Sequence, residues 1–368
     1  MLKWSLRVFA LLILLIGVLL VVGYIRSDNV CPTASTISGE TILAAVQCEY
    51  GGPEDIDIAT LAKPVPQANE ILIKVQAASV NPLDWHYLRG IPYLFRLSAG
   101  LKKPNDIMVG VDYSGIVEAV GEDVIRFSPG DEVFGGESGA FSQYLVVSSD
   151  RAMARKPANA PHSWAAAMPI AAVTALQAIR DIAKLQAGQK VLINGASGGV
   201  GTYAIQLAKN LGVEVTGVSS GRNRELVLSL GADHHIDYTK QDFVDSAKKY
   251  DAVIDLVGNR SLSEIRSVMT ESGICILLGG GSPEDGRWIG PLVTPIKAIL
   301  YSPFVSQTFV TMLAHSNSND FEILAAIMES GQLKSVIDKE YPLAQTADAL
   351  HYIETGRARG KVIINPQQ

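Results

Sequence analysis

Two periods of apolar and polar positions run along the chain, and the change from one to the other marks its parts. Gly39 to about Gln47, and Glu70 to Ala78 with Ile71, Ile73, Val75 and Ala77 on one side, alternate every second residue as half-buried strands do, with a Pro-rich connection, Pro64 to Pro66, between them. From Val109 to Gly135 short apolar runs are broken by Gly and Pro-Gly turns, and Phe141 to Val147 adds one more, so this stretch is predicted to be β-rich. The spacing turns helical from Ala165 to Ile182. Val191 to Ile193 is then a short apolar run that breaks into Asn194-Gly195-Ala196-Ser197-Gly198-Gly199-Val200-Gly201 and resumes at Val200, Ala204, Leu207 and Leu211, the pattern of strand, tight turn and helix.

Further buried strands are predicted at Val213 to Val218, Val253 to Val257, Ile274 to Leu278 and Phe309 to Leu313, with helices at Arg224 to Leu230, Leu262 to Met269 and Phe321 to Ser330. That alternation defines an α/β, doubly wound parallel sheet. Within it the glycine turn has a chemical reading. Gly198 and Gly201 let the backbone approach a diphosphate closely, and the free amides at the start of the following helix meet its charge. Ala196 stands where the usual fingerprint has its first glycine. The tail, Ala344 to Glu354 and Lys361 to Ile364, reads as one helix and one strand that return to the first unit.

The N-terminus is different in kind. Val8 to Ile25 is 18 residues without a charge, preceded by Lys3 and Arg7, close to the minimum that spans a bilayer as a helix. A signal peptide would be shorter and would end in a small-residue cleavage site. The expectation is therefore an uncleaved, single-pass N-terminal transmembrane helix in contact with membrane lipid. Lys3 and Arg7 favour a cytoplasmic N-terminus, whereas a soluble nicotinamide cofactor requires the catalytic part to face the cytoplasm; the second argument is given more weight.

Composition and charge narrow the function. A net charge of −6 over 368 residues, without basic blocks, argues against nucleic acid as a partner. Cys31, Cys48 and Cys275 are too few for a disulfide framework or a four-thiolate zinc lobe. The end of the second predicted strand, Val218-Ser219-Ser220-Gly221-Arg222-Asn223, lacks the acid that holds the ribose 2′-hydroxyl of NAD. A hydroxyl and a guanidinium suit a 2′-phosphate instead, so the expected cofactor is NADPH. Its candidate ligands are Gly195, Ser197, Gly198, Gly199, Val200 and Gly201 in the turn and Ser220, Arg222 and Asn223 beyond it.

Ser79-Val80-Asn81-Pro82-Leu83-Asp84, Gly110-x-Asp112-x-x-Gly115, Pro129-Gly130-Asp131-x-Val133, Ala171-x-x-Thr174-Ala175, Asn194 to Gly201, Leu230 to Tyr238 and Gly360-Lys361-Val362 occur in this order. Over roughly residues 40–366 the chain thereby resembles the medium-chain dehydrogenase/reductase superfamily, in its zinc-independent quinone oxidoreductase branch. The resemblance implies a GroES-like catalytic domain interrupted by a Rossmann domain: anchor and linker 1–37, catalytic domain 38–164, NADPH-binding domain 165–318, and a returning catalytic part 319–368. Zinc-dependent relatives have a cysteine at the place of Asn81, so no metal is expected. The resemblance further implies Asn81 and Thr174 beside the nicotinamide, Gly279 and Gly280 as a close backbone approach, Tyr238 at the 2′-phosphate and Lys361 at the cofactor. Asn81, His86 and Tyr93 are the catalytic candidates, His86 with an equal claim to a structural role. Asp84 reads as a turn cap and His234-His235 as a surface turn. The implied activity is hydride transfer to a quinone or α,β-unsaturated carbonyl, in a chain whose relatives commonly form homodimers. An alcohol/aldehyde oxidoreductase and a non-catalytic, NADPH-binding membrane sensor are the competing readings.

Overall fold

The computed structural model describes residues 14, 17–18, 21–22, 24–25, 27, 29–32, 39–279, 288, 290 and 293–368. Strands β1 (Thr41–Gln47) and β2 (Ile56–Ala62) form an antiparallel pair. β3 (Glu70–Val80), β4 (Asp112–Val120), β5 (Glu132–Gly136), β6 (Tyr144–Ser148) and β7 (Met153–Arg155) build most of a second sheet. β3 is its axis: β4 runs along one edge, while on the other β6 pairs with Glu70 to Lys74 and the last strand of the chain takes over from Ala78 to Val80. One face of β3 is fully covered, with Ile71, Ile73 and Val75 packed among Tyr113, Val117, Phe141 and Val147. Helix α1 (Pro82–Arg89) starts where β3 ends, Pro82 opening its first turn.

The nucleotide-binding unit follows two helical segments, the second being α2 (Pro169–Gln177). Its strands are β8 (Lys190–Asn194), β9 (Glu214–Ser219), β10 (His234–Asp237), β11 (Tyr250–Asp255), β12 (Met269–Leu277) and β13 (Thr308–Thr311), with α3 (Gly199–Asn210) between β8 and β9. All are parallel, in the order β10-β9-β8-β11-β12-β13. Relative to the first strand of the unit this is the 3-2-1-4-5-6 order of a dinucleotide-binding sheet, in which the order of strand addition reverses between β8 and β11. The chain then re-enters the sheet built on β3 as β14 (Ile337–Pro342) and β15 (Lys361–Asn365), completing the path β14-β15-β3-β4-β5-β7. The junction is solid: Phe134 of β5 packs against Phe321 in a core continuous with Ile193, Tyr203 and Ile205.

Two expectations are corrected. Among the described residues no helix is long and apolar enough to cross a membrane, which overturns the N-terminal transmembrane helix and with it the single-pass anchor and its cytoplasm-facing topology. Most of Val8 to Ile25 lies outside the described residues, and the described end of that stretch docks on the globular part. Ser27 Oγ accepts from the Lys102 amide at 3.0 Å, and the Lys102 ammonium lies 4.2 Å over the Tyr24 ring. His234-His235, read as a surface turn, instead opens β10, an edge strand that among the described residues pairs with β9 alone.

One covalent link was not foreseen. Cys31 and Cys48 form a disulfide that ties the segment before β1 to the residue after it, and Asn29 Nδ2 donates to the carbonyls of Cys48 and Pro104 alongside. Cys275 is free and buried in β12, where burial pushes its thiol well above the ordinary range.

Candidate active site

The sheet ends in a crevice at the carboxyl edges of β8 and β11, where ligands of such folds bind. Gly195 there has φ +92°, a conformation open to glycine, and it turns the chain from β8 toward α3. A Cβ on Gly201 would stand 2.3 Å from the Gly195 carbonyl oxygen, so helix and turn touch as backbone on backbone. Gly198 caps α3 without any side-chain hydrogen bond, leaving the first-turn amides of Gly199, Val200 and Gly201 to an anion. The returning strand braces this loop: Gly360 N donates to Ser197 O at 2.9 Å, and Gly198 pairs with Gly360.

Asn81 sits at the centre of a buried polar knot. Its amide Nδ2 donates to Ser79 O at 3.2 Å and to Asp112 Oδ2 at 3.0 Å, its Oδ1 accepts from the Lys361 ammonium at 2.5 Å, and its backbone N donates to Asp84 Oδ2 at 2.6 Å. Asp112 also accepts from Ile170 N in the first turn of α2, and Thr174 Oγ1 is engaged one turn on with Ile170 O at 2.7 Å. Burial pushes the Asp84 carboxyl up to about 7 and the Asp112 carboxyl to about 6, the second against the pull of Lys361. Burial also holds the Lys361 ammonium below its usual range. Lys361 lies next to the glycine loop, its Cδ only 2.9 Å from where a Gly199 Cβ would be. Asp84 does cap its turn, but it is also a buried acid in this knot, which its place after Asn-Pro-Leu gives no sign of.

The other candidates divide between this end of the crevice and the far one. The His86 Nδ1 meets Ile91 O at 2.9 Å and its ring stacks on Trp85 at 3.7 Å; burial lowers its affinity for a proton, so the imidazole is neutral near pH 7 with its lone pair on Nε2. Tyr93, half-buried, follows in the next turn. Gly279 leaves β12 so close to β11 that a Cβ would lie 2.1 Å from the Leu256 carbonyl carbon. Gly280 lies outside the described residues.

At the far end Asn223 is buried, with Nδ2 on Ser197 Oγ at 2.8 Å and Ser220 Oγ at 3.3 Å, and with Oδ1 unpartnered among the described residues. Arg222 is exposed and spends one guanidinium nitrogen on Arg357 O at 3.1 Å. Tyr238 is exposed beyond β10. A depression of about 460 Å³ opens between the ends of β9 and β10, lined by Gly221, Arg224, His235, Asp237, Lys240 and Gln241. Arg224 and Lys240 are the cations here that the strand-end reading passed over. Their only sequence signal is nearness to Arg222 and Tyr238.

A Rossmann sheet with an uncapped glycine loop, facing a second β-rich unit across a crevice, defines a nicotinamide-dependent oxidoreductase of two units. The cradle at Gly198 to Gly201 and the orphaned acceptor of Asn223 both fit a dinucleotide. Residues 67–158 match the family described as alcohol dehydrogenase GroES-like domain, and residues 230–364 the one described as zinc-binding dehydrogenase. The chain is 33% identical over 331 residues to a chloroplastic quinone-oxidoreductase homolog of Spinacia oleracea, covering 86% of this chain and 96% of that one. It is 32% identical to the quinone oxidoreductase of Homo sapiens, over 89% and 99% of the two chains. Among solved structures, the quinone oxidoreductase of Coxiella burnetii superposes with a TM-score of 0.75 at 29% identity, over 89% of this chain and 99% of that one. The chain belongs to the medium-chain dehydrogenase/reductase superfamily, in its quinone oxidoreductase-like branch.

Zinc, present in one family description, does not suit the donors at Asn81. An amide that donates to a carboxylate and accepts from an ammonium has no thiolate, imidazole or free carboxylate pair to offer a soft divalent cation. Among the described residues no three His, Cys, Asp or Glu side chains gather as a metal site.

Proposed function

We propose that this protein reduces quinones or α,β-unsaturated carbonyl compounds with NADPH, without a metal. The observation that carries the reading is the Asn81–Asp112–Lys361 knot. It fills with the protein's own ammonium the place at which a Lewis acid would have to stand, while the relatives named above are quinone oxidoreductases or a homolog of one, and a fourth, 30% identical over 91% of this chain, is an NADPH-dependent alkenal/one oxidoreductase of Arabidopsis thaliana.

When bound, NADPH supplies the hydride. The amides of Gly199 to Gly201 hold its diphosphate, and Asn223 Oδ1 accepts from a ribose hydroxyl. Arg224 and Lys240, with Ser220, Arg222 and Tyr238 around them, receive the 2′-phosphate; Asp237, at the same depression, opposes it and is outnumbered. Gly279 lets β12 end directly against the Leu256 backbone, and the nicotinamide would be held beside that end. Asn81 and Thr174 border its ring, Asn81 through the second lone pair of Oδ1, since its other hydrogen-bonding positions are in use. Lys361 keeps that amide in one orientation. His86, neutral with a lone pair on Nε2, is a hydrogen-bond acceptor at the substrate end and not an acid, so the proton that completes the reduction, taken up on oxygen by a quinone and on the α-carbon by an enone, comes from solvent. Tyr93 bounds the substrate side.

Purified protein should oxidise NADPH on addition of a small quinone or an alkenal, fail with saturated alcohols and NADP, and keep its rate after exhaustive chelation. Turnover of saturated alcohols, or activity that follows zinc content, would overturn the proposal.

A further inference from the structure

Trp288 is 74% exposed, an unusual position for an indole, and it is the first described residue beyond Gly279 on the connection that leaves β12 at the crevice. Its ring meets that of Tyr93 edge to face, with centroids 5.3 Å apart and planes at 87°. Tyr93 belongs to the other unit and is held from behind. The Arg96 guanidinium lies 4.6 Å over its ring and 4.2 Å over that of Tyr50, and is itself tied to the carbonyls of Gly90 at 2.8 Å and Arg89 at 3.0 Å. A fixed aromatic ring from the catalytic half, two residues beyond the Ile91 carbonyl that holds His86, thus touches a solvent-exposed one from the nucleotide half. An edge-to-face pair leaves the face of at least one ring open, and an open indole face in a cleft is a stacking surface for a flat π-system.

We infer that Tyr93 and Trp288 form an aromatic clamp that selects flat, fused-ring acceptors, of naphthoquinone size, over short aliphatic enals. This rests on the quinone/enone reading above. A small enal has no ring to stack and reaches the nicotinamide without the clamp, whereas a bicyclic quinone gains ring contact with both partners. A mere strut between the two units would affect all acceptors alike.

The test compares wild type, Trp288→Ala and Trp288→Phe with 1,4-naphthoquinone and trans-2-hexenal. Loss of one aromatic contact should lower kcat/KM for naphthoquinone about two- to tenfold, mostly through KM. It should leave 2-hexenal and the KM for NADPH within about twofold, and Trp288→Phe should recover most of the loss. An equal loss with both acceptors, or none with naphthoquinone, overturns the clamp. Binding is read separately from turnover. With NADP present, naphthoquinone should quench indole fluorescence saturably in wild type, and Trp288→Phe should shrink that saturable phase to the part that Trp85, stacked on His86, contributes. A wild type that shows the quench and no reduction would sink the proposed activity and leave the clamp standing, whereas an unchanged saturable quench in Trp288→Phe overturns the clamp whatever the turnover.

Discussion

Asp84 and Asp112 show how single residues in the site are governed by what surrounds them. Both are buried carboxyls beside one ammonium, and for Asp84 burial outweighs the Asn81 amide and Lys361, pushing it up to about 7. An acid whose pKa rises on folding contributes stability that is fully present below its unfolded value, near 4, and that is lost as pH climbs through the folded value. Between pH 5 and 8 wild type should therefore lose on the order of 2 kcal/mol at this position. Asp84→Asn keeps an acceptor for the Asn81 amide and removes the titration, so its melting temperature relative to wild type should be more favourable at pH 8 than at pH 5. Equal differences at both pH values would refute the assignment. At the other end of the crevice, Arg224→Ala should raise the KM for NADPH about tenfold and leave that for NADH nearly unchanged, the loss expected for one charge-assisted contact. Arg222→Ala should do less, because its guanidinium already donates to Arg357 O. A larger effect at Arg222 would return the phosphate to the strand-end residues.

At the scale of elements, the β8–turn–α3 unit is what the chain states most openly. Its signals are local: an apolar run of strand length, residues free to turn, and a helical period resuming at once. Gly201 makes the point sharply, since its place is filled by the backbone of Gly195 and Ala196. Gly201→Ala should cost at least about tenfold in NADPH affinity and lower the melting temperature, because the added carbon must move backbone and not a flexible side chain. Isothermal titration and a thermal melt would settle it, unchanged binding being the adverse result. β10 was not legible in the same way. Its His-His-Ile-Asp sequence has neither a hydrophobic run nor a clean alternation, and it becomes a strand because β9 offers a free edge. The site divides along the same line: the glycine loop could be read from spacing, whereas Arg224 and Lys240 converge only when β9 and β10 lie side by side.

For the whole molecule, the decisive contacts join residues far apart in sequence. Lys361 reaches Asn81 across 280 positions, Gly360 braces Ser197, and Cys31 closes on Cys48 to hold the N-terminal segment against the catalytic unit. That disulfide spans 17 residues, a loop whose closure is worth about 3 kcal/mol. Cys31→Ser, or reductant on wild type, should lower the melting temperature by several degrees, and Cys31→Ser should be insensitive to reductant; a melt that ignores both would refute a structural bond. The amino-acid sequence by itself determined the alternation of strands and helices, the phosphate-binding turn and the lack of a zinc-type ligand at position 81, because each depends on neighbours within a few residues. Only the tertiary structure decided that Asn81 is locked by a buried lysine, that the first two cysteines pair, and that Trp288 faces Tyr93. Those are meetings of side chains whose separation along the chain carries no information about their distance in space.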